Sequence, residues 1–346
     1  MDILYSYRNS IIANTEEMAL DGINSRNLDD YCLSEMHDNL LECQKISQEL
    51  CDIKCTTRSY VLLIASVDGL SRFYEEVGEI SEALEYAELN LRLYRNYMEQ
   101  CKNTKFAFWL VVLSVRRGRL LKLKGDYEKA KEVLEIIPGF YNAIDSAVRE
   151  KFSKIWIFEV YIELGDINEN LRNYLAAESY YLSGLETIQE QYKYEREIAV
   201  HYCSALCKLS EVYLQKCDIN RAKALLDKGI EIIKGIEKEY ADIETLDCLA
   251  KLYEVYGDLH KLKGDIDSVR DYYDQAHLIR WKTVDERFDI RLCVPIAVLY
   301  RKIGQTNNDT SMLELALDIF EQACNSYPEI IEFQKEKEYV KKLLNN

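Results

Sequence analysis

The chain has 346 residues, 48% of them hydrophobic, and a formal charge of −16. That apolar share suffices for a core and excludes a disordered chain, while the negative charge repels a phosphate backbone and disfavours general nucleic-acid binding. With only 3 prolines and 13 glycines to interrupt it, the chain is expected to be helical nearly throughout.

In chain order, the opening stretch "MDILYSYRNSIIANTEE" has no basic patch followed by an apolar run, so no secretory leader is expected. Residues 1–56 are helical in pattern and read as a degenerate N-terminal helix pair, a cap on the rest of the chain. Up to residue 57 this part holds four basic and eleven acidic residues, a net charge of −7. A helix-turn-helix facing phosphates would not carry that surface. The run "FAFWLVVLSV" at 106–115 is ten residues long, too short for a bilayer, and reads as a buried helix flank.

Residues 57–328 repeat. "KLKGD" stands at both 122–126 and 261–265, each time ahead of an anchor five residues after the glycine, Ala130 in the first copy and Val269 in the second. The related stretches "GEISEA" and "CDINRA" end at Ala83 and Ala222, and two longer ones, "GDINENLRNYLAA" and "GQTNNDTSMLELA", end at Ala177 and Ala316. The six anchors are separated by 47, 47, 45, 47 and 47 residues. Seven places before the turn glycine, or before Cys217, stand Ser71, Gly118, Phe158, Ser210, Gly257 and Ala297, small in all but one unit. Four places after the anchor stand Ala87, Leu134, Tyr181, Leu226, Tyr273 and Phe320. Small residues on one helix and larger side chains on the next let two antiparallel helices approach and fill the gap between them. The glycine ends the first helix with positive φ, and the acidic residue after it suits the start of the second. The longer copies are expected to carry inserted turns at 167–173 and 306–311, and Pro295 to kink its helix or mark its start. The tail, 329–346, reads as a C-terminal capping helix with Ile330, Ile331, Phe333 and Tyr339 facing inward.

A small residue, an aromatic, Gly-Asp-Tyr-x-x-Ala and a further aromatic four places on resemble the tetratricopeptide repeat. The last unit, with Ala316, Phe320, Ala323 and Pro328, keeps that family's spacing. The resemblance spans roughly residues 57–328 and departs in length, 47 residues against about 34. The extra residues lengthen both helices. It implies an all-α superhelical solenoid of about seven helix pairs with a C-terminal cap, and a concave groove lined mostly by the first helix of each pair. Extended repeats of this kind are similar to those of bacterial sensor and regulator proteins. The family's chaperone-binding members hold a peptide C-terminus with a Lys/Asn clamp. Here the matching places hold Asp68 and Arg72, then Val115 and Arg119, so that specificity is not carried over.

Little in the sequence suggests catalysis. No phosphate-binding loop, dinucleotide fingerprint or nucleophile elbow occurs. The four histidines lie in different units, and His260 occupies a packing place held mostly by tyrosine. Cys203 and Cys207 are one helical turn apart, but His201 points elsewhere, so a metal site is disfavoured. Eleven cysteines without a Cys-x-x-Cys pair suit a reducing cytoplasm rather than a disulfide framework. The expectation is therefore a cytoplasmic, non-enzymatic scaffold without cofactor that takes a protein or peptide in its groove. The alternative is a ligand-responsive regulator acting through a partner.

Charge places the candidate groove residues. Residues 113–131 hold seven basic and two acidic side chains, and Arg116, Arg119 and Lys122 form a stripe on one helix face, with Arg72 in the preceding unit. Arg291, Arg301 and Lys302 form a second basic set near the other end. Between them lie Glu159, Lys208, Glu211, Lys251, Glu254 and Asp258. Basic ends with a mixed centre suit a segment bearing acidic or carboxylate groups. The plainer possibility is that the stripe neutralises acidic helices beside it.

Overall fold

Every secondary-structure element among the described residues is a helix. The computed structural model describes residues 30–54, 56–101, 108–144, 153–238, 241–286 and 290–345. Two compact units divide between Lys124 and Gly125. The first contains α1 (Asp30–Ile53), α2 (Thr57–Glu76), α3 (Ile80–Cys101) and α4 (Phe108–Leu123), each packed on the next in order. Helix α1 belongs to the expected N-terminal cap, and residues 1–29 of that cap lie outside the described residues. Thr56 starts α2 with a reciprocal cap. Its hydroxyl accepts from the Ser59 N–H at 3.1 Å, and the Ser59 hydroxyl accepts from the Thr56 N–H at 2.9 Å.

The second unit contains α5 (Tyr127–Ala143), then the pairs α6 (Lys154–Asn170) with α7 (Tyr174–Ile188) and α8 (Arg196–Gln215) with α9 (Ile219–Glu237). Next come the pairs α10 (Ile243–Lys263) with α11 (Ile266–Glu286) and α12 (Ile290–Asn307) with α13 (Thr310–Ser326), and α14 (Ile331–Leu344) covers the end. Consecutive helices pack on one another throughout this unit, and α8 also packs directly on α10. The start of α14 returns to the start of α5. Lys335 donates to the Tyr127 hydroxyl at 2.9 Å, and Ile331 lies against Gly125.

The recurring Gly-Asp pair is explained by the turn it builds. Gly78, Gly125, Arg172, Cys217, Gly264 and Asn308 all have left-handed backbones, with φ between 53° and 88°. After five of these turns, the next residue's N–H (Glu79, Asn173, Asp218, Asp265, Asp309) donates to the carbonyl five places back, at 2.7–3.1 Å. This closes the first helix in a Schellman arrangement. The side chains of Asn173, Asp218, Asp265 and Asp309 then accept from an N–H in the next helix, at Ala176, Arg221, Ser268 and Met312. One residue supplies the reversed backbone and its neighbour the cap.

Both expected inserted turns are corrected. In the repeat anchored by Ala177, α6 continues through Gly165 to Asn170, and Arg172 takes the left-handed place. Gly165 is a packing residue, since a Cβ there would stand 2.5 Å from Tyr181 Cδ1. Gly257 meets Tyr273 Cδ1 in the same way, also at 2.5 Å. The small-residue row is therefore Ser71, Gly118, Gly165, Ser210 and Gly257, each seven places before its left-handed residue, and Phe158 does not belong to it. In the last repeat the seven extra residues become helix rather than loop. Ala297, Ala316 and Phe320 keep their register in one cluster, while Gly304 lies inside α12 and the turn moves to Asn308. At about 3.6 residues per turn, seven residues add one turn to each helix of a pair.

The six anchors, and the six residues four places beyond them, are no more than 1% exposed. Helix α12 runs through Pro295, which therefore does not mark its start. In α14 the fully buried residue is Val340; Tyr339 is exposed and lies under the Arg301 guanidinium, 5.1 Å from its ring centroid.

Candidate functional site

Second helices cover one side of each first helix, and the charges left on the first helices meet one another. In the second unit Lys208 on α8 pairs with Asp166 on α6 at 2.8 Å, and Lys251 on α10 pairs with Glu211 on α8 at 2.9 Å. Lys302 on α12 pairs with both Glu254 and Asp258 on α10 at 2.6 Å. Every rung joins a carboxylate on one first helix to a lysine on the next. Tyrosines of the second helices brace the carboxylates from behind. Tyr181 donates to Asp166 at 2.7 Å, and Tyr273 donates to Asp258 at 2.6 Å.

Glu254 is the buried centre of this ladder. Its side chain is 1% exposed and meets Arg280, Lys302 and Lys251 at 2.6, 2.6 and 3.3 Å. Burial alone pushes its carboxyl up, but Lys251, Lys302 and Arg280 together outweigh that and hold it well below the usual range. Arg280 comes from the second helix α11 and also donates to the Pro295 carbonyl at 2.8 Å. It is not legible in the sequence, because nothing in its spacing distinguishes it from a solvated arginine.

The first unit has a rung of the same kind. Arg116 on α4 pairs with Asp68 at 3.6 Å and with Glu75, both on α2, while Arg72 pairs with Asp68 at 2.8 Å. Arg116 thus neutralises acidic groups of a neighbouring helix. Arg119 and Lys122 are half-buried on α4 and have partners of their own, as does Glu159 on α6. Near the other end, Arg291 lies over the Tyr327 ring at 5.6 Å and Arg301 pairs with Glu336 of α14 at 2.7 Å. The structure brings Lys208, Glu211, Lys251, Glu254, Asp258 and Lys302 into one ladder and leaves Arg291 and Arg301 beside it.

An open cavity of about 530 Å³ lies against the turn-side ends of these helices. It touches Glu211, Asp258 and Lys302 of the ladder, together with Glu169, Leu214, Lys261 and Leu262. Glu169, Leu214 and Lys261 stand three places before the left-handed residue of three successive repeats, so one row runs acidic, apolar, basic. Burial, with Glu211 and Asp166 beside it, pushes the Glu169 carboxyl up to about 7, against the pull of Lys208 and of a hydrogen bond from Tyr181. Burial pushes the Lys261 ammonium down; Lys302 and Arg301 reinforce this, and Asp258 opposes it. Repeat register in the sequence misses both residues, because Gly165 has the look of a turn glycine. Counted from Arg172, the row becomes visible.

The cysteine and histidine candidates fall elsewhere. The Cys203 thiol donates to the Gly229 carbonyl and is pushed up to about 12 by burial. His260 stacks on Tyr256 and Tyr272, as a packing residue does, and meets Asp265 at 3.0 Å. Among the described residues no helix is long and apolar enough to cross a membrane.

No protein-family model and no curated protein matches the sequence. Solved structures match in fold. The apo form of RapI covers 94% of this chain and 99% of its own, at 14% identity and a TM-score of 0.55. A tetratricopeptide repeat protein from Parabacteroides merdae covers 98% and 97%, at 17% identity and a TM-score of 0.48. A putative kinesin light chain from Podosopora anserina, with nearly identical tetratricopeptide-like repeats, covers 64% and 95% at 15% identity and a TM-score of 0.46. The likeness to RapI, with the repeated hairpins described above, shows a tetratricopeptide-like α-α solenoid.

Proposed function

We propose that the chain is a non-enzymatic scaffold that binds a protein or peptide segment along the groove formed by its first helices. The observation that carries this reading is the ladder. Successive first helices are tied to each other by ion pairs, and a cavity of about 530 Å³ with both charged and apolar walls opens against four of them. Such a volume lies within the range of ligand sites. Two of the carboxylates that line it, Glu211 and Asp258, are already paired with lysines, which suits them to holding a partner. Partner segments bearing carboxylate groups suit the lysines and arginines along this face. Free cysteines at eight described positions, seven of them buried, fit a reducing compartment such as the cytoplasm.

A photoreactive amino acid tests the surface used. Placed at Leu262, which lines the cavity on α10, it is expected to crosslink partner in lysate. Placed at Leu182 on α7 or Leu278 on α11, both exposed on second helices, it is expected not to. Crosslinks confined to the second helices would overturn the groove reading. RapI was solved in an apo form, and this favours a second reading, a ligand-responsive regulator that acts through a partner protein. A ligand-dependent change in small-angle scattering separates the regulator from a rigid scaffold.

A further inference from the structure

Two charges on the wall of the cavity differ from all the others that line it. Lys302 is held by Glu254 and Asp258, Asp258 also accepts from Tyr273, and Glu211 is held by Lys251. Glu169 accepts only a hydroxyl, that of Tyr181 at 3.1 Å, because the nearby cation Lys208 is engaged by Asp166. Lys261 makes no ion pair among the described residues. Among the described residues, one end of the cavity therefore has a carboxyl group and the other an ammonium group that form no ion pair of their own. They stand in equivalent places on α6 and α10, two helices apart, and do not pair with each other. Leu214, on the helix between them, and the half-exposed Leu262, next to Lys261, also line the cavity.

We infer that this cavity is a two-point site for an extended peptide, with a basic side chain at Glu169, a carboxylate at Lys261 and an apolar residue over Leu214 and Leu262. The inference rests on the groove reading and adds polarity and spacing to it. Two helix-to-helix steps of about 9 Å each separate the end points by about 18 Å, which is roughly five residues of extended chain. An occupant of this polarity supplies each end with the charge it lacks. In a partly dehydrated site such pairs act on specificity more than on bulk affinity. A peptide of reversed polarity would place like charges together at both ends.

The test uses capped, fluorescein-labelled nonapeptides with lysine and glutamate separated by one to seven residues, leucine midway and serine elsewhere. Norleucine for lysine and glutamine for glutamate give the neutral controls. Fluorescence anisotropy with the full chain should show binding strongest near a five-residue offset, and at least ten-fold weaker when either charge is removed. E169Q should lose the preference for lysine over norleucine and keep that for glutamate over glutamine. K261M should do the converse, and K261E should turn the preference at its own end from glutamate to lysine, a gain that misfolding cannot produce. Equal binding of charged and neutral peptides, no binding of any, or preferences unchanged in E169Q and K261M would overturn the site. If Leu262 still crosslinks a partner under any of those results, the groove reading survives and this site alone fails.

Discussion

Replacing Gly257 by alanine puts a methyl group where the Tyr273 ring already lies, with Cδ1 at 2.5 Å from the new Cβ. Alanine is favoured over glycine in a helix by about 1 kcal/mol, so a helix that did not touch its partner would gain stability. Here the ring is 1% exposed and its hydroxyl is tied to Asp258 at 2.6 Å. Moving it away gives up a hydrogen bond to a charged group, worth about 1.5–3 kcal/mol, and leaving it in place forces α10 and α11 apart. Overpacking of this kind costs about 1–3 kcal/mol and occasionally more. The net expectation is a loss of about 2–3 kcal/mol, which in a unit of this size lowers Tm by about 4–12 °C. Thermal melts should be paired with hydrogen exchange on α10 and α11, because repeat arrays need not unfold as one. In a Y273L background, which approximates the Ser210 and Leu226 pair of the preceding repeat, the cost of G257A should largely disappear. A rise in Tm for G257A, or an equal cost in both backgrounds, would refute close approach as the reason for glycine.

Other perturbations probe the ladder and the turns. E254Q takes from the buried Arg280 its close carboxylate partner and from Lys302 one of its two, and should destabilise by about 3–5 kcal/mol at pH 7, read as a urea midpoint. Because the folded carboxyl sits below its unfolded value of about 4.3, the stabilisation is complete above that pH and is lost as pH falls through the folded value. The gap between wild type and E254Q should therefore be full at pH 7 and close only in acid. A gap that closed between pH 6 and 8 would contradict the assignment. Arg172 and Cys217 hold left-handed backbones that cost a non-glycine residue about 1–2 kcal/mol, so R172G and C217G should each gain about 0.5–1 kcal/mol after the entropy cost of glycine. Asn308→Gly should gain less, since asparagine tolerates that conformation, and equal midpoints for all three would refute the turn assignment.

The turns show where reading a sequence fails. A glycine can end a helix or let two helices touch, and the two uses look alike in one dimension. In sequence Gly165 and Gly304 have the look of turn residues, yet they lie within α6 and α12, while Arg172 and Asn308 hold the reversed backbone. Arginine at such a place gives no signal, and only the Schellman bond at Asn173 identifies it. The ladder is half legible. Lys208, Glu211, Lys251, Glu254, Asp258 and Lys302 follow from repeat register, but which of them face each other does not. Arg280 is invisible because it reaches Glu254 from a second helix.

Composition and periodicity together determined that this is a helical repeat, since few prolines and glycines favour helix and anchors 45–47 residues apart must occupy equivalent places, so that their burial recurs. They also determined which faces are apolar, because small and large residues had to alternate between packed helices. What only the tertiary structure decided is the state of each charge. A lysine and a carboxylate some forty residues apart become one neutral rung when two first helices lie side by side, while Glu169 and Lys261 stay unmatched. Coulomb energy depends on separation and burial, and neither is written in chain order.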